Sequence, residues 1–167
     1  QGALNDMHTT CHNGEWQAVK DITVYHMQAF AKFLEKLNAT VDPTGATILD
    51  VASGTGFGGD LLIERARFVV GVDVSREAVA EARRRFRRPN LCFFQADGAA
   101  LAFRNGAFDL VVSQDTIEHV EDDRRFVGEV ARVLKPGGVF IVFTPWRREH
   151  MEKPENPFHL REYSVGT

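Results

Sequence analysis

The stretch TILDVASGTGFG, which runs from Thr47 to Gly58, decides how this chain is interpreted. A short apolar strand carries one acid, Asp50, and then breaks into small residues and glycines. Because glycine lacks a Cβ, such a loop can adopt left-handed dihedral angles and bring its backbone against a ligand. The helix that follows offers unpaired N–H groups in its first turn. The stretch therefore predicts a nucleoside-binding turn, and Asp50 indicates a ligand that also carries positive charge.

Composition limits the classes of protein that remain. The chain has 167 residues, of which 44% are apolar, enough for one packed core, so a single domain is expected. Its formal charge of −3 creates no overall field that would attract nucleic acid, and a nucleic-acid partner is not expected. No apolar run reaches the roughly 20 residues of a membrane-spanning helix, and no signal peptide is recognisable, so we expect a cytoplasmic protein without membrane contact. Cys11 and Cys92 form no motif with each other or with histidine, so neither a disulfide framework nor a metal site is expected.

Apolar periodicity predicts alternating helices and strands. A helix is predicted over His26–Leu37, and Ser75 predicts the start of another that ends before Pro89. Further helices are expected around Leu61–Ala66 and Phe126–Leu134. Five strands are predicted, over Thr47–Ala52, Phe68–Val72, Leu91–Phe94, Phe108–Val112 and Val139–Thr144. Near-continuous β-branched runs between amphipathic helices are typical of a parallel sheet covered on both faces, so we predict a doubly wound, mostly parallel α/β fold.

The fold class predicts where a ligand binds. Small molecules bind outside the carboxyl ends of the strands of an open parallel sheet, at the point where the strand order reverses. The residues that follow the predicted strands are therefore candidates: Ala52–Gly58, Asp73 and Val74, Gln95–Gly98, and Ser113–Asp115. Three of these four segments carry an acid.

Five motifs occur in order along the chain: Leu49–Gly56, Val72-Asp73, Ala96-Asp97, Phe108–Ser113 with Ile117–Val120, and Leu134–Gly138. Together they resemble the ordered motifs of class I S-adenosylmethionine-dependent methyltransferases, and the type 11 small-molecule group is the most similar. The resemblance covers Ile48–Thr144 and implies a Rossmann-like sheet. Ala52 departs from the family pattern, which usually has the first glycine of the loop at this position.

The resemblance also implies a cofactor, S-adenosylmethionine, with S-adenosylhomocysteine as its product. Asp73 would accept hydrogen bonds from both ribose hydroxyls, and charge-assisted bonds of this kind are strong. Asp50 would hold the amino end of the methionine portion. The other implied contacts are the loop residues Ala52, Gly54 and Gly56 beneath the methionine portion, Asp97 and Gly98 at the adenine amino group, Val74 and Ala99 on the adenine ring, and the backbone of Ser113 and Gln114 near Asp50.

Structural roles compete with these assignments. Asp50 can instead satisfy amides of its own loop, Asp73 can act as a capping residue, and Asp97 can stabilise a turn. A base is optional in methyl transfer, and His119 is the candidate catalytic residue, with Glu118 and His159 as alternatives. His119 can equally be an ordered packing or capping residue.

Two other classes of protein stay open. The sequence Gly54–Gly59 satisfies G-x-G-x-x-G, with Asp73 at a suitable distance, as in a nicotinamide-dependent oxidoreductase. The acids Asp50 and Asp97 and the Pro136–Gly138 turn favour the methyltransferase, since the dehydrogenase fingerprint requires none of them. A noncatalytic module that binds S-adenosylmethionine is the third possibility. The arginines between Arg83 and Arg88 are interpreted as a solvated helix end rather than as a nucleic-acid patch.

The domain prediction places an N-terminal helical segment or lid at residues 1–40 and the methyltransferase domain at 41–167, with its cofactor-binding core at 46–144. The family sheet normally gains an antiparallel hairpin after the fifth strand, and residues 145–167 are too few for it. We therefore expect a truncated or split domain in which the tail, or a second copy in a homodimer, covers the fifth strand. The expected acceptor is a small molecule, methylated on O, N or C.

Overall fold

The computed structural model describes residues 9–12, 15–18, 32–145 and 159–163. The chain divides into two compact units, Gln1–Asp42 and Pro43–Thr167. Each is described by itself, and the predicted boundary at residue 40 and the predicted lid stay predictions.

The described residues of the first unit form two strands and a helix. Strands β1 (Thr9–His12) and β2 (Glu15–Ala18) pair antiparallel, with Cys11 opposite Trp16. Helix α1 covers residues 32–40, which includes the described part of the predicted helix His26–Leu37; the rest of that prediction lies outside the described residues. Neither strand is predicted from the sequence, because four-residue segments are too short to show a clear apolar alternation.

The second unit is built on a five-stranded sheet. Its strands are β3 (Thr47–Val51), β4 (Phe68–Asp73), β5 (Leu91–Gln95), β6 (Phe108–Gln114) and β7 (Leu134–Phe143). All neighbouring pairs are parallel, in the order β5-β4-β3-β6-β7. The predicted Rossmann-like parallel sheet is confirmed. Because the chain builds outward from β3 to β5 and then returns to β3's other side, the strand order reverses between β3 and β6.

Three helices cover this sheet: α2 (Phe57–Leu62), α3 (Arg76–Arg85) and α4 (Asp123–Val133). Helix α3 begins as predicted, since the Ser75 hydroxyl accepts a hydrogen bond from Ala78 N at 3.1 Å. Helix α4 has Asp122 in the same position, with its carboxylate 2.9 Å from Arg125 N. The apolar face of α4 packs on the sheet through Phe126, Val130 and Val133, all buried. These caps and this face fix which helix ends point toward the carboxyl edge of the sheet.

Strand β7 begins earlier than the predicted Val139. Leu134 pairs with Phe108, and Val139 pairs with Leu110, so the register shifts between the two pairs. The segment Lys135–Gly138 is therefore a bulge within the strand rather than a turn before it. Gly137 lies in this bulge with φ of 79°, a conformation that favours glycine.

Three arginines in and just after α3 contact neighbouring groups. Arg84 pairs with Glu81 at 2.7 Å, and Arg88 pairs with Asp60 at 2.8 Å. Arg83 donates to the carbonyl of Phe93 at 2.7 Å. These contacts agree with a solvated helix end, and the absence of a nucleic-acid partner stays a prediction.

The described part of the tail, 159–163, lies against the segment after β6. The backbone N–H groups of Leu160 and Arg161 donate to Glu118 O at 2.9 and 3.4 Å. The Tyr163 hydroxyl donates to Asp123 Oδ2 at 3.0 Å. Whether the tail or a second copy covers β7 stays a prediction. In the part of the chain that the structure describes, the helices are too short or too polar to cross a bilayer.

Candidate functional site

The loop after β3 adopts the left-handed backbone that its composition predicted. Positive φ angles occur at Ala52 (62°), Gly54 (53°) and Gly56 (87°). Ser53 N donates to Val72 O at 2.9 Å, which ties the loop to the neighbouring strand β4. Ala52 occupies its position at some cost, because left-handed backbone disfavours a residue with a Cβ. A glycine would be unstrained there, which gives a physical reason for the family preference.

Gly54 and Gly56 have different surroundings. A Cβ built at Gly54 would meet nothing within 4 Å, whereas one at Gly56 would lie 2.6 Å from the Phe93 ring and 2.8 Å from Ala82 Cβ. The absence of a side chain at Gly56 therefore serves the packing of the loop on β5 and α3. At Gly54 it leaves open space beside the backbone, as a ligand in close contact requires.

Asp73, the last residue of β4, connects this loop with the start of α3. Its Oδ2 accepts a hydrogen bond from Gly54 N at 2.8 Å, and its Oδ1 accepts one from Ser75 N at 2.8 Å. Asp73 therefore does make a capping hydrogen bond at the start of α3, which was the structural alternative for this residue. Since each carboxylate oxygen can accept more than one hydrogen bond, Asp73 also keeps acceptor capacity for a diol.

Asp50 is a buried carboxyl group near the end of β3, with 8% of its surface exposed. Burial, and then the nearby charge of Asp73, raises the pKa of Asp50 to about 7. Within the described parts of the chain its carboxylate receives no hydrogen bond from the loop amides. The described residues therefore do not support the alternative in which Asp50 satisfies amides of its own loop. A positively charged ligand group would offset the cost of burying this carboxyl group.

The tip of β5 supplies a polar turn and an apolar surface. Asp97 Oδ1 accepts a hydrogen bond from Ala99 N at 2.8 Å, so it does stabilise its own turn. A Cβ at Gly98 would lie 2.6 Å from the Phe126 ring, so glycine is required for packing here. Val74, at the neighbouring tip of β4, is 71% exposed. An exposed Val beside this polar turn is a suitable surface for a planar, polar-edged ring.

Ser113 and Gln114 end β6, on the other side of the point where the strand order reverses. Ser113 is fully buried, and both its Oγ and Gln114 Oε1 lack hydrogen-bond partners in the described structure. Buried polar atoms are rarely left unpaired. Two such atoms next to Asp50's strand indicate polar contacts that a bound molecule would complete.

The sequence named Glu118, His119 and His159 as possible bases, and the structure brings all three together. Glu118 and His119 lie in a short 3-10 helix, Ile117–His119, that follows β6. The rings of His119 and His159 meet edge to face with centroids 5.0 Å apart. One potential ligand atom from each of the three residues lies within 4.8 Å of the others. Local spacing could not reveal this cluster, because His159 is 40 residues away in sequence.

The strand tips match the demands of an adenosyl sulfonium cofactor. Asp50 offers a buried carboxyl group whose raised pKa a nearby cation would lower, Asp73 offers acceptors for a diol, and Gly54 leaves room for close approach. The described residues therefore fit S-adenosylmethionine in charge and in shape at the loop.

Comparison with known proteins identifies the family. Residues 49–142 match the family described as "Methyltransferase domain". The chain is 40% identical over 125 residues to a "Probable S-adenosylmethionine-dependent methyltransferase" of Mycolicibacterium smegmatis, covering 73% of this chain and 48% of that protein. It is 32% identical to the demethylmenaquinone methyltransferase of Renibacterium salmoninarum, covering 67% of this chain and 51% of the relative. The crystal structure of the YcgJ protein from Bacillus subtilis superposes with a TM-score of 0.70 at 26% identity, covering 84% of this chain and 64% of that one.

This chain belongs to the S-adenosylmethionine-dependent methyltransferase family, whose cofactor is S-adenosylmethionine. It spans about half the length of the curated relatives it matches.

Proposed function

We propose that the chain binds S-adenosylmethionine at the carboxyl ends of β3, β4, β5 and β6 and transfers its methyl group to a small-molecule acceptor. The observation that carries the proposal is the buried, unpartnered carboxyl group of Asp50 behind a glycine loop that leaves open space at Gly54. A dinucleotide carries its negative pyrophosphate at this loop. A raised pKa on an acid just behind the loop suits a positive ligand group and opposes a negative one.

The proposed roles follow the strand tips. Asp73 accepts from the two ribose hydroxyls while it keeps its contacts with Gly54 and Ser75. Asp50 faces the amino end of the methionine portion, and Ala52 and Gly54 bring backbone against it. The adenine ring packs on Val74 and Ala99, with Asp97 and Gly98 at its polar edge. Ser113 and Gln114 complete the methionine side, where their unpaired oxygens support the assignment.

The cofactor supplies an electrophilic methyl group on a good leaving group. The chain's own residues then have three tasks: to hold the acceptor in line, to exclude water and to accept a proton where the acceptor carries one. Orientation of this kind is worth roughly 7–11 kcal/mol of the barrier. His119 is the exposed residue of its cluster and is the proposed proton acceptor.

A small-molecule acceptor is proposed for two reasons. The relatives include a demethylmenaquinone methyltransferase and a 2-methyl-6-phytyl-1,4-hydroquinone methyltransferase, whose names give quinone and hydroquinone acceptors. Arg83, Arg84 and Arg88 already contact acids or a carbonyl of this chain, which favours a small-molecule acceptor over a nucleic-acid backbone. An oxygen, nitrogen or carbon atom of the acceptor is compatible with the proposal, and its cytoplasmic location stays a prediction.

Calorimetric titration of the chain with S-adenosylhomocysteine, and separately with NAD, tests the cofactor assignment. The proposal predicts saturable binding of S-adenosylhomocysteine and no binding of NAD. Binding of NAD alone would overturn it in favour of the oxidoreductase alternative.

Release of S-adenosylhomocysteine from S-adenosylmethionine, measured with a panel of hydroquinones, amines, an oligonucleotide and a basic peptide, tests the transfer step. Turnover with a hydroquinone or amine supports the proposal. Turnover with the oligonucleotide or the peptide alone would contradict the acceptor class, and binding without turnover on any member would favour the noncatalytic module.

A further inference from the structure

The cluster of Glu118, His119 and His159 has the composition of a metal site. A carboxylate oxygen of Glu118 and one ring nitrogen from each histidine lie within 4.8 Å of one another. We propose that these three side chains bind a divalent transition-metal ion, with Zn²⁺ as the ion that the donor set fits. Two imidazoles and one carboxylate are the ligands of a known class of catalytic zinc site that keeps an open coordination position.

Glu118 supplies the observation that points to a ligand. Its side chain is fully buried, and its Oε2 accepts a hydrogen bond from the Thr144 hydroxyl at 2.9 Å. Its Oε1 is buried without a hydrogen-bond partner in the described structure. A buried carboxylate is costly unless it is paired or coordinates a metal, so Oε1 is an acceptor in need of a cation.

His159 is oriented by a second carboxylate. Its Nδ1 lies 2.8 Å from Glu162 Oε1, and the two side chains are only 9% and 4% exposed. This contact uses Nδ1 and directs Nε2 away from Glu162. Metal-binding histidines usually donate their other ring N–H to a carboxylate or carbonyl, which fixes the tautomer and makes the ring a better ligand. Glu162 is thus a positioning residue for the proposed site.

A backbone hydrogen bond holds the segment that carries His159 against the 3-10 helix that carries Glu118 and His119. Leu160 N donates to Glu118 O at 2.9 Å, directly after His159 in sequence. This bond fixes His159 near Glu118 without any metal. A tetrahedral Zn²⁺ site needs its ligand atoms about 3.3 Å apart, from Zn–N and Zn–O distances near 2.0–2.1 Å. The ligand atoms therefore have to draw closer when the ion binds.

The location suggests a use for the ion. The Ile117–His119 turn follows β6 directly, and Ser113 and Gln114 of β6 line the proposed cofactor site. With the ion bound, His119 would be a ligand rather than the proton acceptor, and an open coordination position there would bind and polarise an oxygen of the acceptor. This use rests on the proposed methyl transfer, whereas metal binding itself does not.

The test is calorimetric titration of the chelator-treated chain with ZnCl₂ and with MgCl₂. We expect one Zn²⁺ site and far weaker binding of Mg²⁺, which prefers oxygen ligands. His119→Ala and His159→Ala should lose this site. Glu162→Gln should weaken Zn²⁺ binding by about 10–100-fold, the usual effect of losing an outer carboxylate. Leu160→Ala is the matched control, because Leu160 is 56% exposed, adjacent to His159 and outside the proposed ligand set.

Titration of the same variants with S-adenosylhomocysteine separates this proposal from the proposed function. Loss of Zn²⁺ binding with unchanged S-adenosylhomocysteine affinity supports the metal site. No stoichiometric Zn²⁺ binding by the wild-type chain, or equal Zn²⁺ affinity in the wild type and His119→Ala, would overturn it. Glu118→Gln is useful only as a confirmation, since a change at a buried residue can unfold the chain; His119 is exposed and avoids this problem.

Discussion

Asp73→Ala is the substitution with the most to reveal about the cofactor site. If the carboxylate accepts from both ribose hydroxyls, its removal deletes two hydrogen bonds to a charged group, each worth about 1.5–3 kcal/mol. The lower end gives a loss of about 3 kcal/mol, which corresponds to an increase of roughly 100-fold in the dissociation constant of S-adenosylhomocysteine.

The same substitution has a structural effect that has to be separated from this one. Asp73 also accepts from the backbone N–H groups of Gly54 and Ser75, both at 2.8 Å. Their loss should lower the free energy of unfolding by about 2 kcal/mol, because partly buried donors are left to water. Urea unfolding of the variant measures this cost directly.

Asp109→Ala is the matched control. Asp109 accepts from Thr47 N at 2.9 Å and from Lys135 Nζ at 2.6 Å, at the opposite, amino-terminal end of the sheet. It should lose a similar amount of stability and keep its affinity for S-adenosylhomocysteine. The reasoning is refuted if folded Asp73→Ala binds S-adenosylhomocysteine within threefold of the wild type, or if Asp109→Ala weakens binding equally.

Three further predictions follow from local geometry and charge. The pKa of Asp50 in the folded chain, about 7, lies above its ordinary value of 3.8. The free energy of unfolding should therefore fall as pH rises between these two values, by about 4 kcal/mol at most. Asp50→Asn should remove this pH dependence when the free energy of unfolding is measured with urea across the same pH range. Gly54→Ala and Gly45→Ala both place a Cβ at positive φ in open space, so each should lower the free energy of unfolding by about 1 kcal/mol. Only Gly54→Ala, in the loop after β3, should also weaken S-adenosylhomocysteine binding in calorimetry. The hydrogen bond from Arg132, more than other contacts, lowers the pKa of Glu129 from 4.5 to about 2, so this acid stabilises the fold above pH 4.5 and progressively less toward pH 2. Glu129→Gln should therefore raise the pH midpoint of acid unfolding, which circular dichroism can follow. An unchanged midpoint would contradict the assignment.

Most of the sheet could be predicted from the sequence because its strands are buried on both faces. Such strands consist of nearly continuous β-branched and other apolar residues, as in Phe68–Asp73. The turns between them carry Gly, Pro or a capping residue such as Ser75. The start of β7 could not be predicted, since pairing of Leu134 with Phe108 across a bulge depends on register and not on local composition.

The candidate site divides in the same way. The acids Asp50, Asp73 and Asp97 and the glycine loop are visible in sequence because each lies near or just after the end of its own strand. The packing reason for a glycine at position 56 is not visible in the sequence, because Phe93 and Ala82, which pack against Gly56, come from elements more than 20 residues away. The approach of His159 to Glu118 depends likewise on where the tail folds back.

The location of bound S-adenosylhomocysteine tests the central claim most directly. A crystal structure of the complex should show the ribose hydroxyls on the Asp73 carboxylate, adenine beside Val74, and the methionine amino group on the side of Asp50. An S-adenosylhomocysteine molecule bound away from these strand tips, or with its ribose out of reach of Asp73, would contradict the account.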